Sequence, residues 1–87
     1  MFDGKTLLIS GGTGSFGHAV LERFLRTDIG AIRILSRDEK KQDDMRRAIA
    51  DPRVRYYLGD VRDYQSLVPA VDGADYIFQA AALKQVP

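Results

Sequence analysis

Cysteine is absent from the 87 residues, and histidine occurs once, at His18. Without cysteine there is no disulfide scaffold, no thiolate zinc site and no cysteine nucleophile. A single histidine excludes a multi-histidine metal centre. No sign of charge dominates: thirteen Lys and Arg against twelve Asp and Glu leave a formal charge of +1. That balance supplies no field for nucleic acid or an anionic membrane. Long apolar runs are also lacking. The longest, Tyr76 to Leu83, contains Gln79 and falls far short of the roughly 18 residues of a membrane helix. Near the start, Lys5 is followed only by Thr6-Leu7-Leu8-Ile9 before glycine, too short for the about 7–15 apolar residues of a secretion signal. Repeats, low-complexity tracts and Pro/Gly/Ser-rich linkers are missing. What remains, 45% hydrophobic and 29% charged residues, is ordinary for a soluble globular protein. The expectation is a cytoplasmic protein, one domain at most, burying only about 60–65% of its unfolded surface.

Short apolar runs alternate with helical stretches. Lys5 to Ser10 reads as a buried strand stopped by Gly11-Gly12. Gly17, Val20, Leu21, Phe24 and Leu25 then form one stripe of a helix, ended by Thr27-Asp28-Ile29-Gly30. Ala31 to Leu35 is a second strand. Ser36 or Asp38 caps a charged helix running to about Ala50, and Asp51-Pro52 stops it. Val54 to Leu58 is a third strand. Tyr64 to Val71 is a short helix with Pro69 badly placed in its interior. Asp75 to Gln79 is a fourth strand. The alternation predicts a parallel α/β sheet, with right-handed crossovers favouring the order 3-2-1-4. No helix follows to cover the fourth strand, and a parallel sheet needs both faces covered. Residues 1–87 therefore read as the N-terminal portion of one larger domain, with no second domain in this chain.

Ser10-Gly11-Gly12-Thr13-Gly14-Ser15-Phe16-Gly17 lies between the first strand and the first helix. Gly12, Gly14 and Gly17 satisfy G-x-G-x-x-G, and Gly11, Gly14 and Gly17 satisfy G-x-x-G-x-x-G. An early glycine permits the tight turn, Gly14 leaves the backbone open to a pyrophosphate, and Gly17 lets helix and strands pack closely. The helix N-terminus offers free N–H groups and partial positive charge; Thr13 and Ser15 can add hydroxyl hydrogen bonds. Strand before and helix after supply the context that makes this a dinucleotide-binding, Rossmann-type fingerprint rather than a structural turn. A nucleoside-triphosphatase loop is rejected: His18 and Ala19 stand where lysine and the magnesium-binding hydroxyl belong. His18 itself reads as a solvated residue of the first helical turn.

Such a fold reads the adenosine ribose after the second strand, where Ser36-Arg37-Asp38 stands about 20 residues beyond Gly17. A guanidinium at Arg37 suits a 2′-phosphate, so NADP is favoured over NAD; Asp38 argues the other way unless it serves as the helix cap. Residues 38–47 are nearly neutral and read as a solvated helix face with Lys40–Asp44 and Asp43–Arg47 pairs, although Lys40 or Lys41 can approach the 2′-phosphate. After the third strand, Asp60 and Val61 can line the adenine pocket. The alternative is a capped turn with Asp60 or Asp63 as N-cap.

The glycine fingerprint, Gly59-Asp60-Val61-Arg62-Asp63 and Ala80-Ala81-Ala82-Leu83-Lys84-Gln85-Val86-Pro87 together resemble the extended short-chain dehydrogenase/reductase superfamily. Within it, Gly11 to Gly17, Ser36 to Gln42 and Ala80 to Pro87 are similar to the inverting UDP-N-acetylglucosamine 4,6-dehydratases and related capsular-polysaccharide epimerase/dehydratases. The resemblance implies a Rossmann domain holding recycled NADP. It also implies a UDP-sugar substrate oxidised at C4, loss of water across C5–C6 and hydride return to C6, in a homo-oligomer serving bacterial surface-polysaccharide or flagellin-sugar synthesis. By matched position, it implies cofactor contacts at Gly11, Gly14, Gly17, Arg37, Asp60, Val61, Ala80, Ala81 and Ala82; Thr13, Ser15, Phe16, Asp38 and Lys40 complete the candidate cofactor site. Lys84 would face the substrate.

Two departures stand out. Gln79 occupies the place of the family's usual histidine and cannot titrate near neutrality. The family's Tyr-x-x-x-Lys is missing: Asp60, Val61, Val68 and Ala80 lie four positions after Tyr56, Tyr57, Tyr64 and Tyr76. No catalytic residue is therefore expected among the 87, and none binds metal. The alternatives are a UDP-sugar 4-epimerase of the same superfamily and a non-catalytic NADP-sensing module.

Overall fold

In the computed structural model, residues 1–11, 13–60 and 62–80 are described. They form four parallel strands and three helices: β1 (Thr6–Ser10), α1 (Ser15–Leu25), β2 (Ala31–Ser36), α2 (Glu39–Ala48), β3 (Val54–Leu58), α3 (Tyr64–Val71) and β4 (Tyr76–Gln79). The sheet order is β3-β2-β1-β4, as the alternating pattern predicted. Each crossover carries one helix, as parallel neighbours require.

Alternation along the strands sorts the core into two layers. Leu7, Ile9, Ile32, Ile34 and Val54 face Leu21 of α1 and Met45 of α2, with Val20, Phe24 and Phe78 packed around them. On the opposite face, Leu8 and Leu35 meet Ala70 of α3, with Leu67 and Tyr57 alongside. The predicted stripe of α1 faces inward, with Gly17 and Leu21 buried. β1 is the most enclosed strand; Leu8 and Ile9 have no exposed surface. β4 is the least enclosed, with Tyr76 and Ile77 exposed.

Element ends differ from expectation by one or two residues, for local reasons. α2 stops at Ala48 because Ile49 leaves helical geometry, its N–H still bonded to the Met45 carbonyl at 2.8 Å, and packs against the core. β4 starts one residue late because Asp75 folds its carboxylate onto the Thr6 N–H at 2.8 Å. Pro69 stays inside α3; the carbonyl that loses its donor belongs to Gln65, an exposed residue within reach of water. Among the described residues no helix is long and apolar enough to cross a membrane, and no cluster of three metal-ligating side chains occurs.

Candidate functional site

All four strands run the same way, so their carboxyl ends meet along one edge of the sheet, where the β1–α1, β2–α2 and β3–α3 turns converge. Open α/β sheets bind ligands at this edge, at the point where strand order reverses. Here that point is β1, with β2 on one side and β4 on the other.

The β1–α1 turn is held by two backbone bonds. Gly11 N–H donates to the Leu35 carbonyl at 2.7 Å and Gly14 N–H to the Gly11 carbonyl at 3.2 Å. Gly11 has φ 71°, a left-handed conformation in which glycine carries no Cβ penalty. Gly14 is different. It is the N-cap of α1 with φ −75° and ψ 171°, an extended conformation open to any residue. Its backbone therefore needs no glycine. α1 also has no side-chain cap and no acidic residue in its first turn, whereas Asp38 caps α2 through Lys41 N–H and Asp63 caps α3 through Gln65 N–H. Among the described residues the first N–H groups of α1 meet no side-chain cap, and they carry the positive end of its dipole. Ser15 and Phe16 are exposed at that end while Gly17 is buried; the Phe16 ring lies 5.5 Å from that of Phe78. His18 sits 3.5 Å from Glu22 on the helix surface, the solvated position expected.

The second turn is tied to the first. Thr13 Oγ1 donates to Ser36 Oγ at 3.2 Å, and the same Ser36 oxygen accepts the Asp38 N–H at 3.0 Å. Asp38 Oδ1 accepts Lys41 N–H at 3.0 Å, so its carboxylate serves the helix. Arg37 projects from the turn with 70% of its side chain exposed, its guanidinium 3.5 Å from Asp60. Lys40 turns along α2 to Asp44 at 3.3 Å. The predicted Asp43–Arg47 pair also forms.

At the third turn, Asp63 rather than Asp60 is the N-cap, which leaves Asp60 at the edge. Its carboxylate accepts the Arg62 N–H and guanidinium, both at 2.9 Å, and lies near Arg37. Those bonds from Arg62, with the charge of Arg37, hold its pKa down at about 2. Gly59 allows α3 to close on this turn: a Cβ there would stand 2.7 Å from Ser66 Oγ. Ala80 is buried, and its N–H bonds the Ser10 carbonyl at 2.9 Å, beside the glycine turn. Gly12, Val61, Ala81, Ala82 and Lys84 lie outside the described residues.

The structure thus brings together the glycine turn, Thr13, Arg37, Asp38 and Asp60, and directs Lys40 along its helix. Sequence reasoning passed over Arg62, Ser36 as a tie between turns, and Gln42. The Asp60–Arg62 spacing was a usable signal for the first; the other two depend on contacts across strands.

A parallel 3-2-1-4 sheet with a glycine turn and an uncapped helix at its switch point defines a Rossmann-type domain. The chain belongs to the polysaccharide biosynthesis protein family, whose sequence profile matches residues 7–87. It is 62% identical over 91 residues to UDP-glucose 4-epimerase of Rickettsia akari (strain Hartford) and 63% identical to that of Rickettsia bellii (strain RML369-C). Each alignment covers the whole chain and 27% of the relative, so the chain spans about a quarter of their length. Among solved structures, Pen from Bacillus thuringiensis superposes with a TM-score of 0.87 at 33% identity, over 92% of this chain and 25% of Pen. Bordetella bronchiseptica WbmF in complex with NAD+ shares the fold at a TM-score of 0.70 and 18% identity, over 90% of this chain and 23% of WbmF.

Proposed function

We propose that residues 1–87 are the N-terminal, NADP-binding portion of a longer Rossmann domain in a nucleotide-sugar-modifying enzyme. The observation that carries the cofactor reading is the division of labour after β2: Asp38 is engaged as the cap of α2, while Arg37 stands exposed beside the glycine turn. An acidic residue at this place would hydrogen-bond a ribose 2′-hydroxyl, and a cation suits a 2′-phosphate. WbmF was solved with NAD+ and, separately, with NAD+ and UDP, which supports a nicotinamide cofactor and a UDP-linked substrate.

The residues fit the cofactor in three places. Gly11, Gly14 and Gly17 with the free N–H groups of α1 receive the pyrophosphate, and Thr13 and Ser15 flank it. Arg37 meets the 2′-phosphate. Asp60 would accept a hydrogen bond from the adenine amino group, and Val61 would cover the ring. By the family resemblance, Ala80 to Ala82 would pass along the nicotinamide side and Lys84 would face the sugar nucleotide. Bound NADP supplies the hydride acceptor for C4 of the sugar. Nothing among the 87 residues has the tyrosine–lysine pair that would take the hydroxyl proton, since an ordinary tyrosine titrates near about 10. Catalysis therefore needs the longer protein, which we take to be a cytoplasmic homo-oligomer.

The favoured reaction is 4,6-dehydration of UDP-N-acetylglucosamine, with 5-epimerisation as a further step, on the strength of Ser36 to Gln42 and Ala80 to Pro87. The name carried by the Rickettsia relatives supports a second reading, UDP-sugar 4-epimerisation. The test is to incubate the full-length enzyme with NADP and either UDP-N-acetylglucosamine or UDP-glucose. A 4-keto-6-deoxy product establishes the dehydratase and a 4-epimer alone the epimerase. No conversion, with cofactor bound, would indicate the NADP-sensing alternative. Residues 1–87 alone should give no product; sustained turnover abolished by a point change within them would contradict that expectation.

A further inference from the structure

Gln42 is polar, only 3% exposed, and is buried on α2 together with Met45. Burying an amide is unfavourable unless its hydrogen bonds are satisfied. Its Nε2 donates to the Tyr57 carbonyl at 2.8 Å and lies 3.4 Å from the Ser36 carbonyl. These two carbonyls belong to neighbouring strands where β2 and β3 end. The Ser36 carbonyl also accepts Gly59 N–H at 3.0 Å, the last bond before the chains diverge. Ser36 directly precedes Arg37, and Tyr57 stands three residues before Asp60. Through Ser36 Oγ the same point reaches Thr13 of the glycine turn and the N–H of Asp38. One buried amide is thus bonded to the strand ends that carry the turns bearing Arg37 and Asp60, and it does so from the second turn of the helix that Asp38 caps.

Resting on the NADP reading above, we infer that Gln42 is a positioning residue for cofactor discrimination: its amide sets where Arg37 stands relative to Asp60, and so how well the 2′-phosphate is met. Gln42 touches no part of the ligand site itself. Methionine fills a similar volume but donates no hydrogen bond. In Gln42→Met the Tyr57 carbonyl loses its side-chain donor, α2 loses one of its ties to the strand ends, and Arg37 loses its fixed place relative to Asp60. Losing part of a charge-assisted contact in this way weakens binding by about tenfold. The loss falls on the 2′-phosphate and not on the pyrophosphate, which α1 receives independently.

Dissociation constants for NADP and NAD are to be measured on full-length wild type, Arg37→Ala and Gln42→Met. The expected result is a preference for NADP in wild type that Arg37→Ala removes and Gln42→Met reduces about tenfold, with NAD affinity unchanged in Gln42→Met. General destabilisation would weaken both cofactors together and overturns the inference. A preference that depends on Arg37 but survives Gln42→Met overturns the inference alone. Absence of a preference in wild type overturns the 2′-phosphate reading and the inference with it. Gln42→Glu gives an independent check if the methionine variant folds poorly. Its ionised carboxylate cannot donate, whereas its protonated form can. Its preference, taken relative to wild type at each pH, should recover as pH falls; a constant ratio contradicts the role of the donor.

Discussion

At the amino end of the sheet, Arg53 donates to the carbonyls of Leu25, Thr27 and Ile29 and pairs with Asp51 at 3.0 Å. At the carboxyl end, Arg37 is mostly in solvent and meets Asp60 at 3.5 Å. The same contrast runs through the neighbouring groups. Arg33 closes the end of α3 by donating to the carbonyls of Ala70 and Asp72, and Asp28 takes the N–H of Phe2 at 2.8 Å. Opposite them, α1 begins without a side-chain cap beside an open glycine turn. The C-terminal ends of α1 and α3 are satisfied by Arg53 and Arg33; the N-terminus of α1, to which we assign the cofactor, has no side-chain cap. An α/β unit built this way places stability and function at opposite ends of the same strands.

The sharpest way to break that comparison is at Gly14. Because its φ is −75°, Gly14→Val introduces no left-handed strain, and its side chain would enter the space we assign to the pyrophosphate. Cofactor binding to the full-length protein should be abolished while its melting temperature stays close to wild type. Retained binding, read by fluorescence or calorimetric titration, would place the phosphate cradle elsewhere. The next effect is at the opposite end. Arg53→Ala leaves three carbonyls without their donor, at a cost of about 1–3 kcal/mol of stability, seen as a lower midpoint in denaturant.

The smallest effect is the acid limb of stability. The carboxyl of Asp60 is held from its ordinary value of 3.8 down to about 2 by Arg62 and Arg37. Asp51 is also lowered, by hydrogen bonds from Arg53. A carboxylate favoured in the folded state contributes stability that is complete above its unfolded pKa and is lost as pH falls through the folded one. Stability should therefore decline between about pH 4 and pH 2. Asp60→Asn should flatten that decline only slightly, since the pair is solvent-screened. An unaltered acid limb in both Asp60→Asn and Asp51→Asn would show that neither carboxylate contributes.

Strand order and the glycine turn were legible in the sequence because each has a local signature: apolar runs of strand length, helical spacing from Gly17, and glycines between them. Asp60 was not resolved from Asp63, since both stand where a cap can form and only the chain path chooses between them. Lys40 was readable as either a phosphate ligand or a helix partner; in the structure its ammonium lies 3.3 Å from the Asp44 carboxylate one turn along. Gln42 was hidden inside a charged run. Its burial comes from the carbonyls of Ser36 and Tyr57, which are six and fifteen residues away, and no spacing rule reports a side chain-to-strand bond of that kind. Arg53 was equally silent, because the carbonyls it satisfies are 24 to 28 residues earlier.

The most direct test of the separation between the two ends is to measure melting temperature and NADP affinity on the same full-length preparations of Arg37→Ala and Arg53→Ala. Loss of a charge-assisted contact of about 1.5–3 kcal/mol predicts that Arg37→Ala weakens NADP by roughly ten- to 150-fold, with an unchanged melting temperature and unchanged NAD affinity. Arg53→Ala should lower the melting temperature and bind NADP as wild type does below its transition. The account is contradicted if Arg37→Ala binds NADP normally, or if Arg53→Ala loses cofactor affinity while fully folded.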